Sequence, residues 1–219
     1  MVQCLARGFA MKLRLPVLLS VAALLSGCNQ PDPAPIPEEI ATAQPSWSVV
    51  APEAMSATEQ AQRERCQQAV KALGSGLMAE LTEALDSGDP TNAVTTCRDE
   101  APVIASQVAA SHGVSIGRTS HRLRNSSNTP PDWALPLVNE RVAVPTFLKG
   151  PAGELGALLP IRLKAECEMC HGSPEAIDET LLEALRASYP DDRATGFAAG
   201  DLRGWFWVEA PPSATAPDA

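Results

Sequence analysis

The sequence predicts an α+β domain with an antiparallel sheet. In the first half, apolar residues recur at three- and four-residue steps, which is helical spacing. In the second half, short alternating runs are bounded by Gly, Pro and Asp, which is strand spacing. Helices gathered ahead of a run of strands are the pattern of an α+β domain.

Cys66, Val70, Leu73, Leu77 and Leu81 form an apolar stripe over a helix from about Thr58 to Leu85. Gly74 and Gly76 weaken that helix or let a neighbour approach it closely. Asp86-Ser87-Gly88-Asp89-Pro90 is a stop. A second helix is expected from about Pro90 to Ala110, with the stripe Val94, Cys97, Ala101, Ile104 and Val108. Pro102 inside it predicts a kink or short break, and Gly113 ends it. Strands are expected over Val114 to Leu123, Val142 to Lys149 and Ala157 to Ala165. A short helix, Ile177 to Ser188, is broken by Tyr189-Pro190-Asp191-Asp192. Gly196 to Gly200 reads as a loop, and Gly204 to Val208 as the last strand.

Both flanks differ in composition. Lys12 and Arg14 precede the apolar run Val17 to Leu25, which is too short for a stable membrane span. Leu25-Ser26-Gly27-Cys28 then reads as a lipobox, so Cys28 is the expected lipidation site and residues 1–27 the signal peptide. Met11 is an alternative start that keeps this signal intact. Several acyl chains make a durable anchor where one binds only marginally. Residues 28–57 carry Pro31, Pro33, Pro35, Pro37, Pro45 and Pro52 and are expected to form a Pro/Ala-rich tether. Residues 210–219 form a similar tail, expected to be disordered. That leaves 58–209 as one domain, with no room for an output module. Removing residues 1–27 takes away Arg7, Lys12 and Arg14 and no acids. The 14 remaining bases face 26 acids, a net charge of −12. Such a surface argues against nucleic acid and suits a periplasmic domain or a basic redox partner.

Cys167, Glu168, Met169, Cys170 and His171 spell C-x-x-C-H, the attachment motif of haem c. The two thiols add across the haem vinyl groups, and the adjacent imidazole supplies an axial ligand. The competing readings are a redox C-x-x-C and half of a zinc site. A zinc site commonly needs a second pair of ligands, and there is no other C-x-x-C and no H-x-x-x-H. One covalent haem c is therefore expected on Cys167 and Cys170, with His171 on the iron. A lipoprotein facing the periplasm agrees with it, because such haem is attached outside the cytoplasm.

Five blocks then resemble the PAS-like c-type haem domain family. This was formerly a domain of unknown function, found in a cyanobacterial haem protein and in sensor-kinase input domains. The blocks are Cys97-Arg98-Asp99-Glu100-Ala101-Pro102; Gly117-Arg118-Thr119-Ser120 with Leu123-Arg124-Asn125; Asn128-Thr129-Pro130-Pro131-Asp132-Trp133; Cys167 to Gly172; and Tyr189-Pro190-Asp191 with Ala194-Thr195-Gly196-Phe197 and Gly200-Asp201-Leu202-Arg203-Gly204. They span most of 58–209; Thr146 to Gly156 does not align. The resemblance implies a PAS-like sheet with flanking helices and a role in redox or small-ligand sensing.

For the sixth ligand, the chemistry offers Cys66, Cys97, His112, His121, Met55, Met78 and Met169. Cys97 lies mid-stripe on a helix face, where a free cysteine is often a small buried hydrophobe. A Cys66–Cys97 disulfide is a second reading, and the resemblance implies a third, a Cys97 thiolate on the iron. Arg118, Arg122 and Arg124 share the parity of one strand face and either meet the haem propionates or form a solvated face. Trp133, Trp205 and Trp207 are expected in the core rather than as haem walls. No catalytic residue is expected, as no distal His–Arg pair is evident. The functional expectation is a redox or diatomic-gas (CO/NO-type) sensing module that reports through a redox or signalling partner. The alternative is a low-potential electron carrier.

Overall fold

The computed structural model describes residues 46–212. Strand β1 (Ser48–Val49) leads into two long helices, α1 (Ala57–Asp86) and α2 (Thr91–His112). Strand β2 (Ser115–Thr119) and the short helix α3 (Leu135–Asn139) follow, then β3 (Thr146–Lys149) and β4 (Leu155–Arg162). A 3₁₀ turn (Ala165–Cys167, the second after Pro52–Ala54), α4 (Glu168–His171), α5 (Glu179–Ser188) and β5 (Leu202–Ala210) complete the described residues. The five strands pair antiparallel in the order β1-β3-β4-β5-β2. The fold is α+β with an antiparallel sheet.

Alternation along the strands sorts the core into two layers. Ile116, Phe147, Leu155, Ala157, Val208 and Ala210 face α1 and α2, meeting Cys66, Ala69, Leu73 and Val108. Leu148, Leu158 and Trp205 face the other way, onto Trp133, Ala134 and Val138 around α3. Trp205 is fully buried and its Nε1–H donates to the Val142 carbonyl at 2.7 Å. Trp133 is also buried, so both serve the core as expected. Gln62 pins α1 to the sheet, its amide donating to the Gly153 and Ala210 carbonyls at 2.9 Å each.

Helix α1 begins in a capping box. Ser56 Oγ accepts from Glu59 N–H, and Ser56 N–H donates to Glu59 Oε2 at 2.8 Å. The Ser56 N–H and hydroxyl both donate to Glu59 Oε2, at 2.8 Å each, and hold the carboxyl down to about 2. Lys149 Nζ lies 3.0 Å away, but that ammonium is more than half exposed and adds little. Because the folded pKa is depressed, the stabilisation is complete above the unfolded value and is lost as pH falls towards 2. Glu59→Gln should therefore cost about 1 kcal/mol at neutral pH, a typical cap. Its deficit should vanish near pH 2, read by urea unfolding at several pH values.

Several boundaries differ from expectation. The tether was placed through residue 57, yet Ser48 and Val49 pair with Lys149 and Leu148 of β3. Trp47 stacks on Trp133 with centroids 5.2 Å apart, which ties this segment down. The strand expected over Val114 to Leu123 ends at Thr119. Helix α2 runs unbroken through Pro102 and stops at Gly113, whose φ of 59° is the left-handed conformation glycine favours. The signal peptide, Cys28 and most of the tether and tail lie outside the described residues.

Candidate functional site

The C-x-x-C-H motif closes the loop after β4. Cys167 ends the 3₁₀ turn Ala165–Cys167, and Cys170 and His171 lie on α4. Gly172 ends that turn of helix. A Cβ there would come within 2.5 Å of the Glu168 carbonyl oxygen, so the backbone can pass only without a side chain. Met169 is 44% exposed, which puts the motif at the surface. Cys170 packs against the cluster of Val94, Ile177, Leu181, Leu185 and Tyr189, and Cys167 against Leu163, Ala194 and Phe197.

A second loop grips the motif from behind. Phe197 N–H donates to the His171 carbonyl at 2.9 Å and Gly196 N–H to the Gly172 carbonyl at 2.6 Å. His171 Nδ1 lies 2.7 Å from the Ala194 carbonyl oxygen. A carbonyl only accepts, so Nδ1 carries the proton and Nε2 is left bare, as a ligand nitrogen must be. Arg203 Nε is 3.3 Å from the same Nδ1. Two donors cannot share that bond, so this is a packing contact. Burial, with Arg124 and Arg203 nearby, depresses the His171 pKa to about 2 and keeps the imidazole neutral.

Arg124 joins the two loops. Its Nε pairs with Asp192 Oδ2 at 2.9 Å, and its Nη2 donates to the Cys170 carbonyl at 2.5 Å. Asp192 Oδ1 in turn accepts from Ala194 N–H at 2.7 Å. Both side chains are about one-tenth exposed, at 10% and 11%. The three arginines singled out from the sequence thus part company. The strand ends at Thr119, so parity does not carry past it. Arg122 stacks over Phe197 at 4.3 Å and donates to the Arg193 carbonyl, while Arg124 is taken by Asp192. Arg118 still lies on the strand, facing α2 on the same side as Ile116, and lines a cavity together with Cys97.

Cys97 is half-buried on α2. Burial pushes its thiol up, Arg118, Arg124 and Arg203 pull it down, and Cys167 pushes it up again. Arg124 acts on Cys170 and His171 as well, and Cys97 and Cys167 push Cys170 up, so these residues share one electrostatic neighbourhood. The Cys66–Cys97 disulfide does not form. Both cysteines are free, and Cys66 is wholly buried in the layer between α1 and the sheet. Met55 is buried in that same layer. His112 lies in the last turn of α2 and Met78 on α1. His121 packs edge-on against Phe197 and Trp205. Sequence reasoning assigned no site role to Ala194, Phe197, Asp192 or Arg203; the quoted blocks contain three of these and end one residue before Asp192.

The donor set fits haem c: two thiols in the attachment spacing, a neutral imidazole with Nε2 bare, a further thiol on Cys97 in the same electrostatic neighbourhood, and part-buried guanidinium groups for carboxylates. It does not fit zinc. Among the described residues no group of three or more His, Cys, Asp or Glu side chains converges as a metal site.

A family model described as Tll0287-like matches residues 46–211. The crystal structure of the cyanobacterial heme-protein Tll0287 is similar in fold. Its TM-score is 0.53 at 20% identity, over 74% of this chain and 99% of that one. No curated protein matches. The match over residues 46–211 covers most of the 219-residue chain, which therefore belongs to the Tll0287-like family.

Proposed function

We propose that this chain is a c-type haem protein, carrying one haem on Cys167 and Cys170 with His171 and Cys97 as axial ligands. The observation that carries this reading is the bond from His171 Nδ1–H to the Ala194 carbonyl at 2.7 Å. It fixes both the tautomer and the direction of Nε2 in a histidine that directly follows the two thiols. The heme-protein Tll0287, which shares the fold, supports the same cofactor.

A bound haem supplies a one-electron couple and an axial position that can take a diatomic ligand. The residues of this chain set how that is used. His171 would stay neutral and oriented, and Cys97 would have two roles. It would hold ferric iron as a thiolate, and on reduction it would take up a proton from solvent and be released as a thiol. Release would open the position to a CO- or NO-type ligand, making the domain a redox or gas-sensing module without catalysis. Cys28 would hold it to the membrane by lipid, facing the periplasm, and a redox or signalling protein would receive the output.

Electron transfer is the alternative. The 44% exposure of Met169, between the attachment cysteines, favours it by placing that edge at the surface. Reducing the purified holoprotein under CO separates the two. Rapid, saturable CO binding to the ferrous form is expected for the sensor. Unchanged six-coordination in both oxidation states would leave the electron carrier, and a protein without covalent haem would end both readings.

A further inference from the structure

A cavity of about 300 Å³ lies between α2, β2 and the loop that follows β2. Cys97 lines it, which ties it to the axial position across from His171. Its apolar wall comes from Leu73, Ala101, Ala105, Ile116 and Trp207, and its polar rim from Asn125, Asn128 and Thr129. Arg118 is its one charged residue, and no Asp or Glu lines it despite the 26 acids in the chain.

Arg118 is unusual among the arginines near the site. Arg124 pairs with Asp192, Arg122 lies on Phe197 and donates to the Arg193 carbonyl, and Arg203 donates to the Arg122 carbonyl. Arg118 makes no ion pair among the described residues and is partly buried. Burial pulls its pKa below the ordinary value. A partly buried guanidinium with no ion pair, lining a cavity that holds no acid, has its fork free for a carboxylate. What is missing is a carboxylate, and what surrounds the gap is an apolar slot with amide and hydroxyl donors at its mouth.

We propose that this cavity is a carboxylate site, in which the Arg118 fork receives one haem propionate and Asn125, Asn128 and Thr129 close around it. The assignment rests on the haem c reading above and deepens it. It selects Arg118 from the arginines of the sequence and buries the propionate edge of the macrocycle along α2. The fork geometry of guanidinium matches a carboxylate at two oxygens, which a lysine cannot reproduce.

The test compares holoprotein of wild type, Arg118→Leu and Arg118→Lys by resonance Raman in the propionate bending region, with haem stain and optical spectra alongside. The expected result is a shift of one propionate band in Arg118→Leu and a smaller shift in Arg118→Lys. Covalent attachment and the ligand bands should be retained, and the midpoint potential of Arg118→Leu should fall because a carboxylate near the iron is left unpaired. Should Arg118→Leu not accumulate, Arg118→Lys gives the same reading by itself. Unchanged propionate bands would overturn the proposal while leaving the haem c reading intact. Altered ligand bands with unchanged propionate bands would place the guanidinium on the Cys97 thiolate instead. Millimolar acetate added to wild type should change nothing. A saturable change that is lost in Arg118→Leu would mean the cavity takes a free acid, which also overturns the proposal. Wild type lacking covalent haem would refute the haem c reading and this assignment with it.

Discussion

Cys97→Ser in the purified holoprotein will shift the ferric Soret band and remove the near-infrared charge-transfer band that a thiolate ligand produces. Serine keeps the volume of the side chain but is a far weaker donor to ferric iron, so the substitution changes ligation more than packing. The other candidates are placed badly for the role. Cys66 and Met55 lie in the layer between α1 and the sheet, and Met169 is exposed between the attachment cysteines. His121 lies against Phe197 and Trp205. Cys97 is coupled electrostatically to both attachment cysteines, Cys167 and Cys170. Cys66→Ser is the control. It buries a hydroxyl at a position with no exposure, so it should lower stability by about 1–3 kcal/mol and leave the spectrum unchanged. An unchanged ferric spectrum in Cys97→Ser would remove that residue as the sixth ligand.

What could be read from the sequence depended on whether a feature repeats along the chain. The α1 and α2 stripes recur over many turns, and the breaks after them, at Asp86 to Pro90 and at Gly113, are written in the residues themselves. Both helices fell within a few residues of expectation. Strand β1 has two residues and α3 has five, too few for any period to show, and β1 follows a proline-rich segment. The loop beyond Thr119 defeated the parity argument for Arg122 and Arg124 because alternation holds only while the strand lasts.

The site divides the same way. Its covalent motif is contiguous and needs no fold to be seen. The clamp on His171 and Gly172 consists of backbone groups of Ala194, Gly196 and Phe197. A carbonyl is present in every residue and leaves no trace in composition. Their block could be quoted as a resemblance, but its use became visible only once Arg124 and Asp192 had placed the loop.

That placement makes Arg124→Leu the most destabilising of the substitutions argued so far. The ion pair at 2.9 Å is about nine-tenths shielded on both sides, and Asp192 also caps Ala194, whose carbonyl orients His171. Removing the guanidinium strands a buried carboxylate and leaves the Cys170 carbonyl without that donor. Breaking one side of such a pair costs about 3–5 kcal/mol, out of a typical total of about 5–15 kcal/mol. Urea unfolding of the domain should show that loss, and haem staining should show less covalent haem because the motif is no longer held against its loop. Adding Asp192→Asn removes the stranded charge, while the amide oxygen can still accept from Ala194 N–H. The double variant should therefore recover most of the stability, and the interaction energy in the cycle should be large. A loss below about 0.5 kcal/mol in Arg124→Leu, the range of an ordinary surface change, would show that the pair does not position the motif.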